Sequence, residues 1–397
     1  MLSKRQKTAD ACLVAPLFNV DILRLLVKLS PDPQTLSNWQ LTCRDLRKSE
    51  AKQMLDWKME FVYNKLERLI GEKKTKNLRT ECLREIYLRN SIMVGDEEVW
   101  AIGEAVKMNA SLKSIVLANN GIGDEGAKYL AKALEVNTSV TKIDLDGNNI
   151  GDEGAKYLAK ALEVNASLTY IDLQVNDIGD EGAKELAVAL KKNNSLTTID
   201  LHGNKICAEG AKHLAQALKK NTSLTLIDLQ YNNIGAEGAK AIGEALKNAS
   251  LTNIRLKNNN IRDEGAKAIG EALEVNTSLT KIDLAGNNIG NEGGKAIGEA
   301  LKMNTSLTKI SLSKNVIGDE GGKVIAEALK TNTSLTEINL SRNNIGDEGG
   351  MAIRQALKMN AVMIEIGLRY NPLGADVVRA FNNVELFCDL PMFHMFH

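Results

Sequence analysis

"VNTSLTKIDLAGNNIGNEGGKAIGEALKM", Val275 to Met303, carries two periodicities in succession. In "TKIDLAG", Ile282 and Leu284 alternate with Lys281, Asp283 and Ala285, the period of two expected of a strand with one buried face. In "GNEGGKAIGEALKM", Ile297 and Leu301 stand four apart beside Ala296 and Ala300, which gives a helix one apolar stripe. Asn291 is of the type and placement to cap that helix, as are Asp124, Asp152, Asp180 and Asp319 at equivalent points of the chain. Strand, turn and helix together are too small to bury their own apolar face, so the stretch predicts a stacked unit.

The unit recurs. Its first leucine-type position falls at Leu83, Leu112, Val140, Leu168, Leu196, Leu224, Leu251, Leu279, Leu307, Leu335 and Met363, roughly eleven units over residues 83–381. The step is 28 residues almost throughout, with 29 between Leu83 and Leu112 and 27 between Leu224 and Leu251. Strands repeating in one sense pair in parallel at about 4.8 Å, whereas packed helices need about 8–10 Å. That mismatch bends the array, strands inside and helices outside.

Motifs in "SLTKIDLAGNNIGNEGGKAIGEALKMNT" resemble the ribonuclease-inhibitor-like class of leucine-rich repeats, a class also seen in Ran GTPase-activating proteins and in the sensor domains of NOD-like receptors. The expected fold is therefore α/β: a leucine-rich-repeat solenoid, a right-handed β-α horseshoe with a parallel inner sheet and outer helices, preceded by a small all-α domain. The resemblance implies a surface that holds another protein and is silent on any one activity.

Two asparagine columns run through the repeats. Asn120, Asn148, Asn176, Asn204, Asn232, Asn259, Asn287, Asn315, Asn343 and Asn371 each follow a strand by three residues, where a buried amide can satisfy backbone groups of the turn. Stacked in register, they predict a structural ladder. The second column, Asn109, Asn137, Asn165, Asn193, Asn221, Asn248, Asn276, Asn304 and Asn332, falls in the N-linked sugar acceptor pattern. Its position just past each helix suits a left-handed residue, which asparagine tolerates, so backbone geometry rather than glycosylation accounts for the pattern.

The 397 residues include 50 basic and 50 acidic side chains, a formal net charge of zero, which gives no bulk field for nucleic acid or a membrane surface. No run reaches the roughly 18 apolar residues of a membrane span. The start "MLSKRQKTADACLVAPLF" is broken by Asp10 and Pro16 and is a poor signal peptide. Cys12, Cys43, Cys82, Cys207 and Cys388 are odd in number and show no CxxC spacing, as expected of reduced thiols in a cytoplasmic or nuclear protein.

Residues 1–82 differ in composition, with Trp39, Trp57, Phe18 and Phe61 concentrated there. They read as a helical domain that caps the open end of the repeat core. "PLFNVDILRLLVKLSPDPQTLSNWQLTCRDLRKSE", residues 16–50, resembles an F-box through Ile22, Leu23, Leu29, Pro31, Leu36, Leu41, Cys43 and Arg44. It departs from that pattern at Asn19, Val20 and Leu46. The resemblance implies docking on the adaptor of a cullin ubiquitin ligase, with Ile22, Leu23, Leu36 and Leu41 as the contacting side chains. Residues 382–397 leave the repeat pattern and read as a C-terminal cap or tail; His394 and His397 there have no accompanying ligand cluster.

No nucleophile elbow, P-loop, HExxH or dinucleotide fingerprint occurs, so neither catalytic residues, metal ligands nor a cofactor are expected. What varies is the outward row of the strands. Asp144, Asp172, Asp200 and Asp228 fall on neighbouring strands, with Asp146, Tyr170, His202, Leu226 and Arg255 among them. Like charges about 5 Å apart repel unless partnered, which predicts a basic protein partner on the concave face of a monomer. The other functional class is a small-GTPase regulator, by resemblance to the Ran GTPase-activating proteins. Those carry an acidic C-terminal tail that this chain lacks.

Overall fold

The computed structural model describes residues 64–69, 71, 83–91, 94–381 and 387–389. The chain divides into two compact units, Met1–Thr75 and Lys76–His397. In the first, residues 64–69 are helical. The F-box-like positions Ile22, Leu23, Leu36 and Leu41 lie outside the described residues, as do His394 and His397.

The second unit is the repeat array. Its strands are β1 Glu85–Tyr87, β2 Ser114–Val116, β3 Lys142–Asp144, β4 Tyr170–Asp172, β5 Thr198–Asp200, β6 Leu226–Asp228, β7 Asn253–Arg255, β8 Lys281–Asp283, β9 Lys309–Ser311, β10 Glu337–Asn339, β11 Glu365–Gly367 and β12 Phe387–Asp389. Between them run helices α1 Asp96–Met108, α2 Asp124–Leu134, α3 Asp152–Val164, α4 Asp180–Leu190, α5 Ala208–Leu218 and α6 Gly235–Leu246. These are followed by α7 Arg262–Leu273, α8 Asn291–Met303, α9 Gly318–Thr331, α10 Asp347–Met359 and α11 Ala375–Phe381. The strands form one parallel sheet in strict chain order, so the solenoid expected from the period is the fold observed. The sheet also extends past residue 381, because β12 pairs with β11.

The core lies between sheet and helices. In one unit Leu168, Ile171, Leu173, Ile178, Leu186 and Leu190 are each no more than 1% exposed, and burying each contributes about 2 kcal/mol. Ala183, Ala187 and Ala189 on α4 are buried too, their small size letting neighbouring helices approach.

The "GDEG" segments do not cap their own helices. Helices α2, α3, α4, α8 and α10 have no side-chain cap bond at their N-cap. Asp124 Oδ1 instead accepts from Gly151 N (2.8 Å) and Gly154 N (2.9 Å), at the start of the next unit's helix. Asp152 does the same for Gly179 and Gly182, Asp180 for Cys207 and Gly210, Asp263 for Gly290 and Gly293, and Asp319 for Gly346 and Gly349. Asn291 likewise reaches Gly321 N. The expected N-caps are therefore clamps between units. Parallel stacking sets each first-turn carboxylate against the free N–H groups of its successor. The second glycine of the motif admits the clamp: a Cβ on Gly154 would lie 2.6 Å from Asp124 Oδ1. In α1, Glu98 stands in that glycine's place and accepts from Gly95 N at 3.1 Å, capping the helix from within.

The clamp also sets the backbone. Behind an aspartate, the first helix-flanking residue is extended, with φ −95° at Gly151 and −102° at Cys207. Behind Ala208, Ala236 and Asn291 the corresponding residues Gly235, Arg262 and Gly318 turn left-handed, at φ 64°, 59° and 64°. Arg262 thus holds a conformation costly for a side chain-bearing residue.

The second asparagine column is not left-handed. Asn109, Asn165, Asn304 and Asn332 have φ of −98°, −75°, −72° and −69°. Their role is carried by side chains: Asn165 Oδ1 accepts from Ser167 N and Leu168 N, while Nδ2 donates to Leu134 O and Asn137 O of the preceding unit. The same bonding recurs at Asn193, Asn304 and Asn332. With both ends of these buried amides engaged, the acceptor pattern has a structural cause. Asn248 differs: the 27-residue step displaces it and leaves it exposed.

That short step, the two missing carboxylate clamps and the strained Arg262 fall together around β6–β7. Removing the clamp by Asp152→Ala should cost about 1–2 kcal/mol in denaturant unfolding. Supplying one by Ala236→Asp should add up to about 1 kcal/mol, because it caps Gly265 and frees Arg262 to become extended. Equal midpoints for both variants and the parent would show that the clamps are idle.

Candidate functional site

The open face of the sheet brings the variable strand positions together. Asp144, Asp172, Asp200, Asp228 and Arg255 stand in direct register across β3–β7, and Lys142, Tyr170, Thr198 and Leu226 form the row beside them. Each aspartate closes the turn that leaves its strand: Oδ1 accepts from the backbone N–H two residues on, at Asp146, Gln174, His202 and Gln230. Sequence reasoning did not anticipate this use, because a period-two pattern assigns a side chain to a face and not to a turn.

The row is less open than its outward position implies. Asp146, Asp172 and Asp228 are buried, Asp228 to 1% exposure. On the inner side of a bent sheet the strands remain about 4.8 Å apart while their side chains converge, and neighbours cover the carboxylates. Tyr170 Oη donates to Asp172 Oδ2 at 2.9 Å, and Gln230 Nε2 and the Arg255 guanidinium both reach Asp228 Oδ2, at 2.9 and 3.0 Å. Arg89 pairs with Asp146 at 3.1 Å.

Aromatic groups border the acids. Lys142 Nζ lies 4.8 Å from the centre of the Tyr170 ring. His202 stacks on Tyr231 with centroids 4.9 Å apart, and Lys257 Nζ lies 5.3 Å from the same ring. Tyr231 and Arg89 escaped the sequence reading. Tyr231 carried a usable signal: it occupies a left-handed column that holds Asn119, Gly147, Gly203, Asn258 and Gly286, and only Tyr370 among the described residues matches it there as an aromatic. Val175 shares the column at φ 50°, a strained conformation for a β-branched residue, and is 53% exposed.

Burial and like charge raise the acids. Burial, then Asp228, push the Asp200 carboxyl to about 7, the bond from His202 N and the charge of Arg255 opposing. Burial raises Asp172 against the bonds from Gln174 N and Tyr170, and raises Asp146 against Arg89. The Tyr170 phenol is raised by burial and by Asp172.

The first asparagine column lies behind this face. Asn148 Oδ1 accepts from Asn120 N and Ile122 N, and its Nδ2 donates to Leu117 O and Leu145 O. Nδ2 of Asn176, Asn204, Asn232, Asn259, Asn315 and Asn343 joins its own unit to the preceding one in the same way, and Asn287 reaches back to Leu256 O. Asn120 opens the series with Leu88 O and Leu117 O. These amides hold the strand exits in line, which keeps the acidic row in register.

Among the described residues no group of three or more His, Cys, Asp or Glu is arranged to hold a metal ion, and no helix is long and apolar enough to cross a membrane. Residues 72–202 match the TMOD/LMOD leucine-rich domain, and six segments between 192 and 353 match the leucine rich repeat family. Among solved structures, leiomodin-1 actin-binding site 2 is similar at 24% identity, with a TM-score of 0.34 over 38% of this chain and 89% of that one. The tropomodulin C-terminal domain of Caenorhabditis elegans is similar at 20% identity, with a TM-score of 0.32 over 41% and 92%. The yeast Rad7 and Elc1 complex shows 12% identity and a TM-score of 0.46 over 94% and 98%. No curated protein matches the chain.

In a folded chain where Asp200 binds its proton more tightly than in the unfolded chain, whose carboxyl lies near 3.9, stability falls as pH rises from about 4 to about 7 and levels above. Asparagine preserves the turn bond, as Asn339 does with Ser341 N at 3.0 Å. Asp200→Asn should therefore raise the melting temperature at pH 8, by the equivalent of up to about 1 kcal/mol, and weaken the decline between pH 5 and 7. An unchanged melting profile would show that the row carries no repulsion.

Proposed function

We propose that this array of leucine-rich repeats is a non-enzymatic protein-interaction scaffold that takes a basic segment of another protein on its concave face. The observation that carries the reading is the registered row of four aspartates, with Asp200 lying between two further carboxylates and its neighbour Asp228 alone tied to Arg255. A lysine or arginine placed over Asp172 and Asp200 relieves their repulsion, and Tyr170, His202 and Leu226 offer adjacent apolar area. Binding releases the proton held on Asp200, so affinity should weaken as pH falls below about 7.

In the finer reading, the scaffold is a substrate receptor of a cullin ubiquitin ligase, of the ribonuclease-inhibitor-like repeat class. Supporting it are the F-box-like pattern of residues 16–50, with Ile22, Leu23, Leu36 and Leu41 toward the ligase adaptor, and the repeats left to hold the substrate.

The test is capture of partners from cell extract by the full chain and by Asp144→Asn/Asp200→Asn, which keeps both turn bonds. The double variant should lose captured basic partners at least tenfold while its melting temperature holds or rises. Undiminished capture removes the acidic row from the mechanism. Recovery of a cullin adaptor with the parent chain, lost on Ile22→Asp/Leu23→Asp, tests the ligase role separately.

A further inference from the structure

The zero net charge of the chain conceals a polar division of its concave wall. The outward positions of β3–β6 and the residues leaving them include Asp144, Asp146, Asp172, Asp200 and Asp228 against Lys142, a net charge of −4. The corresponding positions of β7–β9 include Arg255, Lys257, Lys281 and Lys309 against Asp283, a net charge of +3. The sign changes at one step, where Asp228 and Arg255 stand in register and pair at 3.0 Å.

The basic half is also concave at a finer scale. A cleft of about 260 Å³ is lined by Asn253, Arg255, Lys281, Asp283, Lys309 and Ser311. Its cations are unequally committed. Arg255 pairs with Asp228 and Lys309 with Glu337, whereas Lys281 between them is exposed and makes no ion pair among the described residues. For a carboxylate the cleft offers Lys281 as its uncommitted cation, flanked by the other two charges, while the Asp283 carboxylate of the same lining accepts from Ala285 N at 3.0 Å.

We propose that the concave wall binds one polypeptide segment of divided charge, its basic part against β3–β6 and its acidic part in the Arg255–Lys281–Lys309 cleft. The proposal rests on the scaffold reading above and adds the second half of the ligand. The seven strands span about 29 Å at their usual spacing, which an extended segment of about nine residues crosses. Opposed fields on one wall select against segments of uniform charge, because whichever sign they carry one half repels them.

The probe is a set of fluorescent peptides of equal length, tested on the full chain by anisotropy. The first has a lysine block followed by a glutamate block; the second has the same composition with the two residues alternating; the third and fourth keep one block and replace the other by serine. The divided peptide should bind at least tenfold more tightly than each of the others at low salt, and the advantage should shrink at high salt. Lys281→Glu should bring its affinity down to that of the lysine–serine peptide, whose own binding stays unchanged. Equal binding of divided and lysine–serine peptides overturns the divided ligand and leaves the acidic-row reading standing. Equal binding of the alternating peptide, or tightest binding of the glutamate–serine peptide, overturns it as well. Binding of no peptide removes both readings.

Discussion

Polar groups at the ends of short elements must be satisfied, and in this chain the partner is nearly always the adjoining unit. A three-residue strand and a helix of about three turns leave several backbone N–H and C=O groups unpaired at every turn, and each costs about 1–3 kcal/mol if buried alone. Asp124 to Gly151, Asn148 to Leu117 and Asn165 to Leu134 are solutions of one kind: a side chain of one unit completes the backbone of its neighbour. The aliphatic core supplies the driving force for stacking, and these bonds fix its register. Because the register is fixed, Asp144, Asp172, Asp200 and Asp228 fall in a line instead of a scatter.

Much of the fold was legible because periodicity reports directly on burial. Ile282 and Leu284 alternate in the sequence and are buried in the structure; the period of 28 predicts a parallel sheet in chain order, and the sheet has that order. What stayed hidden are contacts between units, which no reading of a single unit contains. Asp152 beside a helix start looks like a cap for that helix, yet its partner lies in the following unit, at Gly179. Asn165 after a helix looks left-handed, yet it is extended and spends its amide on the preceding unit.

The site follows the same division. The column containing Asp172 and Asp200 was readable from the alternation, but the burial of Asp172 and Asp228 depends on curvature and on Tyr170, Gln230 and Arg255 folding over them. Tyr231 was missed because the reading stopped at the strand positions, short of the turn whose Asn and Gly mark its column. The change of sign at Arg255 coincides with the 27-residue step and the absent clamps behind α6 and α7, so charge and regularity both break at β6–β7.

The direction of the clamps bears on how the chain is built. Where a carboxylate clamp is present, at α2–α5, α8, α10 and α11, the helix start is tied to an aspartate that lies earlier in the sequence, whereas α1 closes its own end through Glu98. A repeat that follows a clamped one therefore meets a carboxylate supplied from its amino-terminal side, while the asparagine ladder reaches the other way, Asn148 Oδ1 accepting from Asn120 N and Ile122 N of the unit before it. The junctions so arranged give the array a polarity, with helix starts completed from the earlier repeat and strand exits from the later one.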